Sequence, residues 1–198
     1  MIADSSSLRE PQKLWTRAEI LGKPCPVPKV PGVYAWYFRT IPPQIPTAQC
    51  HTYNGLTLLY IGISPKKPPQ NGKPPSSHTI YDRLRYHLSG NAKGSTLRLT
   101  LGCLLSTALD IQLRRVGSGA RMTFAQGEHV LNTWLDQHAY ITWLPHPPPW
   151  LLEEELIRTL SLPLNLDQNR HHLFHAALTQ VRADARVRAR ALPVVNST

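Results

Sequence analysis

Acidic residues are scarce in this sequence: 12 Asp and Glu stand against 22 Lys and Arg in 198 residues, a formal net charge of +10. Charged residues of both signs reach only 17 %, below the roughly 25 % usual for soluble domains. The imbalance therefore comes from missing acids rather than from added bases. It is sharpest between Ile20 and Leu109, where Asp82 is the single acid among ten bases: Lys23, Lys29, Arg39, Lys66, Lys67, Lys73, Arg83, Arg85, Lys93 and Arg98. Cysteine is scarce as well. Cys25, Cys50 and Cys103 are odd in number, far apart and without a CxxC pair, which argues against a disulfide framework or a zinc ribbon and suits a reducing cytoplasm. Cys50-His51 with Cys25 or Cys103 lacks finger spacing. No apolar run approaches the roughly 20 residues of a membrane-spanning helix. Met1–Glu10 lacks the basic segment and apolar stretch of a secretory signal, so the expected setting is the cytoplasm, without a membrane partner.

What the sequence does carry is positive charge of a particular kind. A half this basic implies a polyanionic partner, nucleic acid or an anionic surface. Arg outnumbers Lys 15 to 7, which favours phosphate, because a guanidinium fork can bind two oxygens at once. With 41 % apolar residues, a chain of this length can bury a core as one domain with short appendages. The 19 prolines cut it into blocks. A helix is expected over 10–21, then an extended arm through Pro24, Pro26, Pro28 and Pro31. Gly32–Phe38 and Leu56–Ile63 read as strands, separated by a proline-rich insertion over 39–55, and Ser64–Ser77 as a polar loop. Helices are expected over Thr79–Leu88, from a Ser95 cap to about Leu113, over Gly127–Gln137, over Trp150–Leu160 behind a proline cluster, and over Phe174–Ala191. Ala139–Leu144 reads as another strand. The class is α+β.

Within the helix from Trp150, Leu152, Leu156, Ile157 and Leu160 share one face and Glu153 falls among them, while Glu154, Glu155 and Arg158 project away. An unpaired buried carboxylate costs several kcal/mol or takes up a proton. Its remedies are a metal ion, a basic partner or an opening onto a cleft; a salt-bridged core glutamate, or one at the edge of the stripe, is an equal alternative. Arg83 and His87, four residues apart, stack on one helix face, either as an ordinary surface pair or aimed together at one phosphate. The last helix carries Arg182, Arg186, Arg188 and Arg190 against Asp184, a phosphate-tracking element or a solvated face. Trp36, Tyr37, Trp134, Trp143 and Trp150 read as core more than as base-stacking residues.

Gly32-Val33-Tyr34, Tyr60-Ile61-Gly62, Arg83 with His87, Glu153-x-x-Leu156-Ile157 and Asn165, taken together and in this order, resemble the GIY-YIG nuclease superfamily over residues 32 to about 165. The resemblance implies a small three-stranded antiparallel sheet flanked by helices and a one-metal hydrolytic site. By position, Glu153 would be the sole protein ligand of a divalent ion, Mg2+ or Mn2+. Tyr34 and Tyr60 would be the paired tyrosines, the first as a base for water, with Arg83 clamping phosphate, His87 orienting a tyrosine hydroxyl or water, and Asn165 fixing the loop after the glutamate helix. A tyrosine base is awkward, since with a pKa near 10 only about 0.1 % is phenolate at neutral pH, so nearby cations would have to lower that value. The two tripeptides lie farther apart than in most members, Val33 replaces isoleucine, and Ile63 stands where repair members often carry lysine, a role open to Lys66 or Lys67 in the following loop.

The expected organisation is an N-terminal helix and arm over 1–31, a catalytic segment over 32–170 with its insertion at 39–55, and a basic helix and tail over 171–198. The expected activity is cleavage of phosphodiester bonds in DNA, with RNA left open, and with Lys66, Lys67, Arg85, Arg182 and Arg186 contacting the nucleic acid. The alternative is a DNA-binding module of the same fold without turnover.

Overall fold

The computed structural model describes residues 6–71 and 74–196; Lys73 of the basic half lies outside them. The elements run α1 (Ser6–Arg9), β1 (Trp15–Thr16), α2 (Arg17–Leu21), β2 (Gly32–Phe38), β3 (Thr52–Tyr53), β4 (Leu56–Ser64), α3 (Ile80–Ser89) and α4 (Thr96–Leu104). They continue with β5 (Arg114–Val116), β6 (Arg121–Thr123), α5 (Gly127–His138), β7 (Ala139–Pro145), α6 (Pro149–Thr159) and α7 (His175–Ala191).

The β-branched and aromatic run of β2 makes it a strand, and all seven of its residues are buried. Tyr34, Trp36 and Phe38 enter one core, and Val33, Ala35 and Tyr37 the other. Burial on both faces makes β2 the centre of a sheet covered on both sides. It pairs antiparallel with β4 and β7. On one face α1 and α6 supply Leu8, Leu152, Leu156 and Ile157; on the other, α2, α3, α4, α5 and α7 supply Ile20, Leu84, Leu101, Leu131 and Leu178 among others.

The three expected strands are the middle of a larger sheet, with order β1-β7-β2-β4-β3. Its two outer strands hold two residues each, too short for any hydrophobic period to show. β3 ends the insertion and returns into β4 through Asn54-Gly55, both at positive φ (50° and 73°), the backbone of a tight hairpin. A separate hairpin of β5 and β6 was also unforeseen.

Two expected helices are shorter than their apolar patterns. Instead of one helix over 10–21, α1 stops at Arg9 ahead of Pro11, and α2 starts only at Arg17. Thr16 caps α2, accepting the Glu19 N–H, while the Glu19 carboxylate accepts the Thr16 N–H at 2.8 Å, a capping box that fixes the start. α4 begins behind its Ser95 cap but ends at Leu104, and the chain turns at Asp110, with φ 50°, into β5. The insertion folds against the exit of α6. Cys50 Sγ lies 3.7 Å from Ser161 Oγ, which lies 3.0 Å from His172 Nε2. Because the Phe174 N–H donates to His172 Nδ1 at 3.1 Å, the neutral ring carries its proton on Nε2 and donates to Ser161.

Candidate active site

Strand alternation alone would separate the two tyrosines. Leu56 and Leu58 face the α6 side of the sheet, so an unbroken period of two would send Tyr60 there as well. The pairing instead steps from Trp36↔Tyr60 to Tyr37↔Leu58, leaving Leu59 as an extra residue. This β-bulge re-aims the strand, placing Leu59 and Tyr60 in the core that holds Tyr34. Gly62 sits opposite Tyr34, where a Cβ would stand 2.5 Å from the Tyr34 hydroxyl. Glycine is required there by the neighbouring phenol, not by its own backbone angles. Gly32 meets backbone instead, with its Cβ position 2.5 Å from the Leu144 carbonyl oxygen.

Behind Tyr34 lies a buried polar chain. Tyr34 Oη is 2.9 Å from His87 Nε2, and His87 Nδ1 is 2.6 Å from Ser95 Oγ. The Arg98 N–H donates to Ser95 Oγ at 3.1 Å, which leaves the Ser95 hydroxyl hydrogen for His87 Nδ1 among the hydrogen bonds of the described residues. The bonding is satisfied throughout when Ser95 donates to Nδ1 and Nε2–H donates to Tyr34 Oη, leaving the Tyr34 O–H directed at the cleft. Burial, with Arg83 and Arg98 nearby, holds His87 well below its ordinary pKa and so keeps it neutral. Arg98 is itself buried and committed: Nε and Nη2 bond the Glu128 carboxylate at 3.0 and 2.6 Å, and Nη1 bonds Asn132 Oδ1 at 2.8 Å.

Tyr34 and Tyr60 open onto a cleft of about 320 Å³ shared with Arg83, Glu153, Asn165, Asp167, Lys66, Lys67 and Arg182. Glu153 lies at the edge of the apolar stripe of α6, half-buried, and not among its core residues. Burial first, then the nearby Asp167, pushes its carboxyl up to about 7, while Lys66 acts in the opposite direction. Burial likewise raises Tyr60 to about 12 and Tyr34 well above its usual value; in both, Arg83 opposes the shift and is outweighed. The expected lowering of a tyrosine by its cations is therefore overturned here, and both phenols are neutral.

Asn165 acts on backbone. Its Oδ1 accepts the Ile61 N–H at 3.0 Å and its Nδ2 donates to the Ile61 carbonyl at 2.9 Å, locking the loop after α6 onto β4 between Tyr60 and Gly62. Arg83 donates from Nη1 to the Gly94 carbonyl at 3.0 Å. Arg182 reaches the cleft from α7; its Nε is buried without a hydrogen-bond partner among the described residues, and burial together with Arg186 lowers its pKa.

A family model described as the GIY-YIG catalytic domain matches residues 32–184. The chain belongs to the GIY-YIG family. Comparisons with curated proteins and with solved structures gave no match. The match runs past Asn165 into α7, so the family's catalytic segment reaches the helix that brings Arg182 to the cleft.

Of the residues singled out in the sequence, this GIY-YIG domain gathers Tyr34, Tyr60, Arg83, Glu153, Asn165, Lys66, Lys67 and Arg182 around one cleft, with His87 buried behind it. Lys67 is paired with Glu154 at 2.7 Å. Arg85 instead lies over the Tyr81 ring at 5.4 Å, and neither it nor Arg186 lines the cleft. Asp167 and Ser95 escaped sequence reading as site residues. Asp167 sits on a loop with no period, and Ser95 was recognised only as a helix cap. The signal that could have found Asp167 is its place two residues beyond Asn165.

Proposed function

We propose that this chain is a metal-dependent endonuclease that hydrolyses phosphodiester bonds in DNA. The observation that carries the reading is Glu153, a half-buried carboxyl raised to about 7 in the same cleft as Tyr34, Tyr60 and Arg83. A carboxyl held part-protonated by burial and by a second acid is one that a cation would return to its ionised form, and oxygen donors suit Mg2+ or Mn2+. The residues present therefore fit a divalent ion, with Glu153 as its ligand and Asp167 beside it. When bound, the ion supplies relief of charge on the phosphoryl oxygens and the leaving alkoxide.

The chain's own groups account for the rest. Arg83 binds the scissile phosphate through fixed charge that needs no proton transfer. Arg182, which lines the cleft from α7, meets the phosphate backbone through its guanidinium. Tyr34 takes part as a neutral phenol that positions the attacking water without deprotonating it: His87 Nε2–H fixes its oxygen, its O–H faces the cleft, and the proton the water loses on attack passes to solvent in the open cleft. Tyr60, placed by the bulge, lines the other side of that water. Asn165 is a positioning residue that sets the spacing of Tyr60 and Gly62 through the backbone of Ile61.

The test is nicking of supercoiled plasmid with Mg2+ or Mn2+. The expected outcome is metal-dependent nicking by the wild type and its loss in Glu153→Ala. Equal background in the two, with plasmid still bound, would make the chain a DNA-binding module of this fold and overturn the enzyme reading.

A further inference from the structure

Beside the catalytic cleft lies a second cavity, of about 740 Å³, within the ~300–1,000 Å³ of sites that hold small ligands. The two share Ile63, Lys66, Lys67 and Arg83, so anything bound at Arg83 can extend from one into the other. Their chemistry differs. The catalytic cleft gathers Tyr34, Tyr60, Glu153 and Asp167; the second is walled by Pro68, Pro69 and Pro75, with Ser64, Ser76 and His78 as polar groups, the Asp82 carboxylate taken up by Thr79, and the ring of Tyr86 on the side of α3.

Tyr86 is built to present that ring. It lies on α3 three residues after Arg83, on the neighbouring surface position of the helix. It is 40 % exposed, among the few large apolar side chains left open. It is also seated: a Cβ on Gly94 would lie 2.2 Å from its hydroxyl oxygen, and one on Gly90 2.8 Å from Cε1. Two glycines therefore leave a notch for one side of the ring, and its hydroxyl reaches Asn91 Oδ1 at 3.5 Å. An aromatic ring fixed in place, open to a cavity and one helical turn from a phosphate-binding arginine, matches what stacking on a nucleobase requires.

We infer that the second cavity holds an unpaired nucleotide of the DNA, adjacent to the phosphate at Arg83, with its base stacked on Tyr86. A base inside an intact duplex is stacked on its neighbours and cannot enter a pocket without leaving the helix. The cavity therefore selects DNA whose strand is already unpaired beside the cut: single-stranded, bulged or at a junction. This rests on the nuclease reading for its phosphate at Arg83, but its test does not depend on turnover.

The test measures binding of the full chain without divalent metal to three oligonucleotides: a single strand, a duplex with one extra unpaired nucleotide, and a fully paired duplex. Tyr86→Ala is expected to weaken the first two about tenfold, the scale of one lost base–aromatic stack, and to leave the third within about twofold. Tyr86→Phe and Tyr86→Trp are expected to bind like the wild type. A 2-aminopurine at the unpaired position should lose fluorescence on binding the wild type and keep it with Tyr86→Ala. Equal effects on all three oligonucleotides, no effect on any, or unchanged 2-aminopurine emission overturns the inference. If the wild type nicks no plasmid yet Tyr86 discriminates unpaired DNA, the nuclease reading falls and the cavity stands; nicking with no role for Tyr86 does the reverse.

Discussion

A buried imidazole hydrogen-bonded at both nitrogens has one comfortable protonation state. His87 is neutral in the folded protein, held well below its ordinary value by burial, whereas in the unfolded chain it takes up a proton below about pH 6.5. Its contribution to stability is thus present above that pH and lost as pH falls. Urea midpoints measured at pH 8 and pH 5.5 should drop at the lower pH, and His87→Gln should flatten the drop. Ser95 acts twice, as cap of α4 and as donor to His87. Ser95→Ala should cost about 1–2 kcal/mol from the cap alone and slow plasmid nicking at least tenfold, with Ser95→Thr restoring most of both. Glu153 has the opposite sign to His87. Raised from 4.5 to about 7, it binds a proton in the folded state that the unfolded state has released, so it costs stability as pH rises through that window and is fully unfavourable above it. Glu153→Gln should therefore stabilise the metal-free protein at pH 8 by roughly 1–3 kcal/mol and do nothing at pH 4. Divalent metal should raise the melting temperature of the wild type and leave that of Glu153→Gln unmoved. At this scale Tyr34, Tyr60, Arg83, His87, Glu153 and Asn165 were readable because each sits in a spaced motif. Asp167 was not, because a loop side chain has no periodicity to betray which way it faces.

Elements decide which of these side chains meet. The extra residue at Leu59 is the reason Tyr60 and Tyr34 share a face, and no hydrophobic pattern announced it: Leu56-Thr-Leu-Leu-Tyr-Ile reads as a plain apolar strand. The central strands and α5, α6 and α7 were legible, since long periodic runs leave little choice. The expected helix over 10–21 failed because Pro11 and the Thr16–Glu19 capping box overrode its composition. The α4 pattern ran on to Leu113 because apolar residues continue past the turn that ends the helix. α7 was visible as a basic helix, but charge alone could not separate Arg182, which enters the cleft, from Arg186, which does not. Arg182→Ala should lower nicking by about tenfold or more, on the scale of losing one charged contact to the phosphate. Arg186→Ala should stay within about threefold. Single-turnover rates with enzyme in excess distinguish the two.

For the whole molecule, the count of basic residues overstates what a polyanion can use. Arg98 is buried against Glu128, Arg17 pairs with Asp136 and Lys67 with Glu154. The logarithm of DNA affinity should therefore fall with the logarithm of salt at a slope of roughly −3 to −6, about 0.9 for each phosphate neutralised, and well short of the value suggested by all 22 Lys and Arg. A flat response in a salt titration would refute the electrostatic reading. The sheet's margins carry a different consequence. Among the described residues, the strand that pairs with the outer side of β7 is Trp15–Thr16, opposite Ile141 and Tyr140 and secured by the Trp15–Trp143 ring stack at 5.5 Å. Both residues precede the segment the family model covers. Cutting the chain back to that segment would bare a row of backbone donors and acceptors beside an indole, a template for other molecules to zip onto. Light scattering is expected to show growing particles for the trimmed chain where the full one stays dispersed.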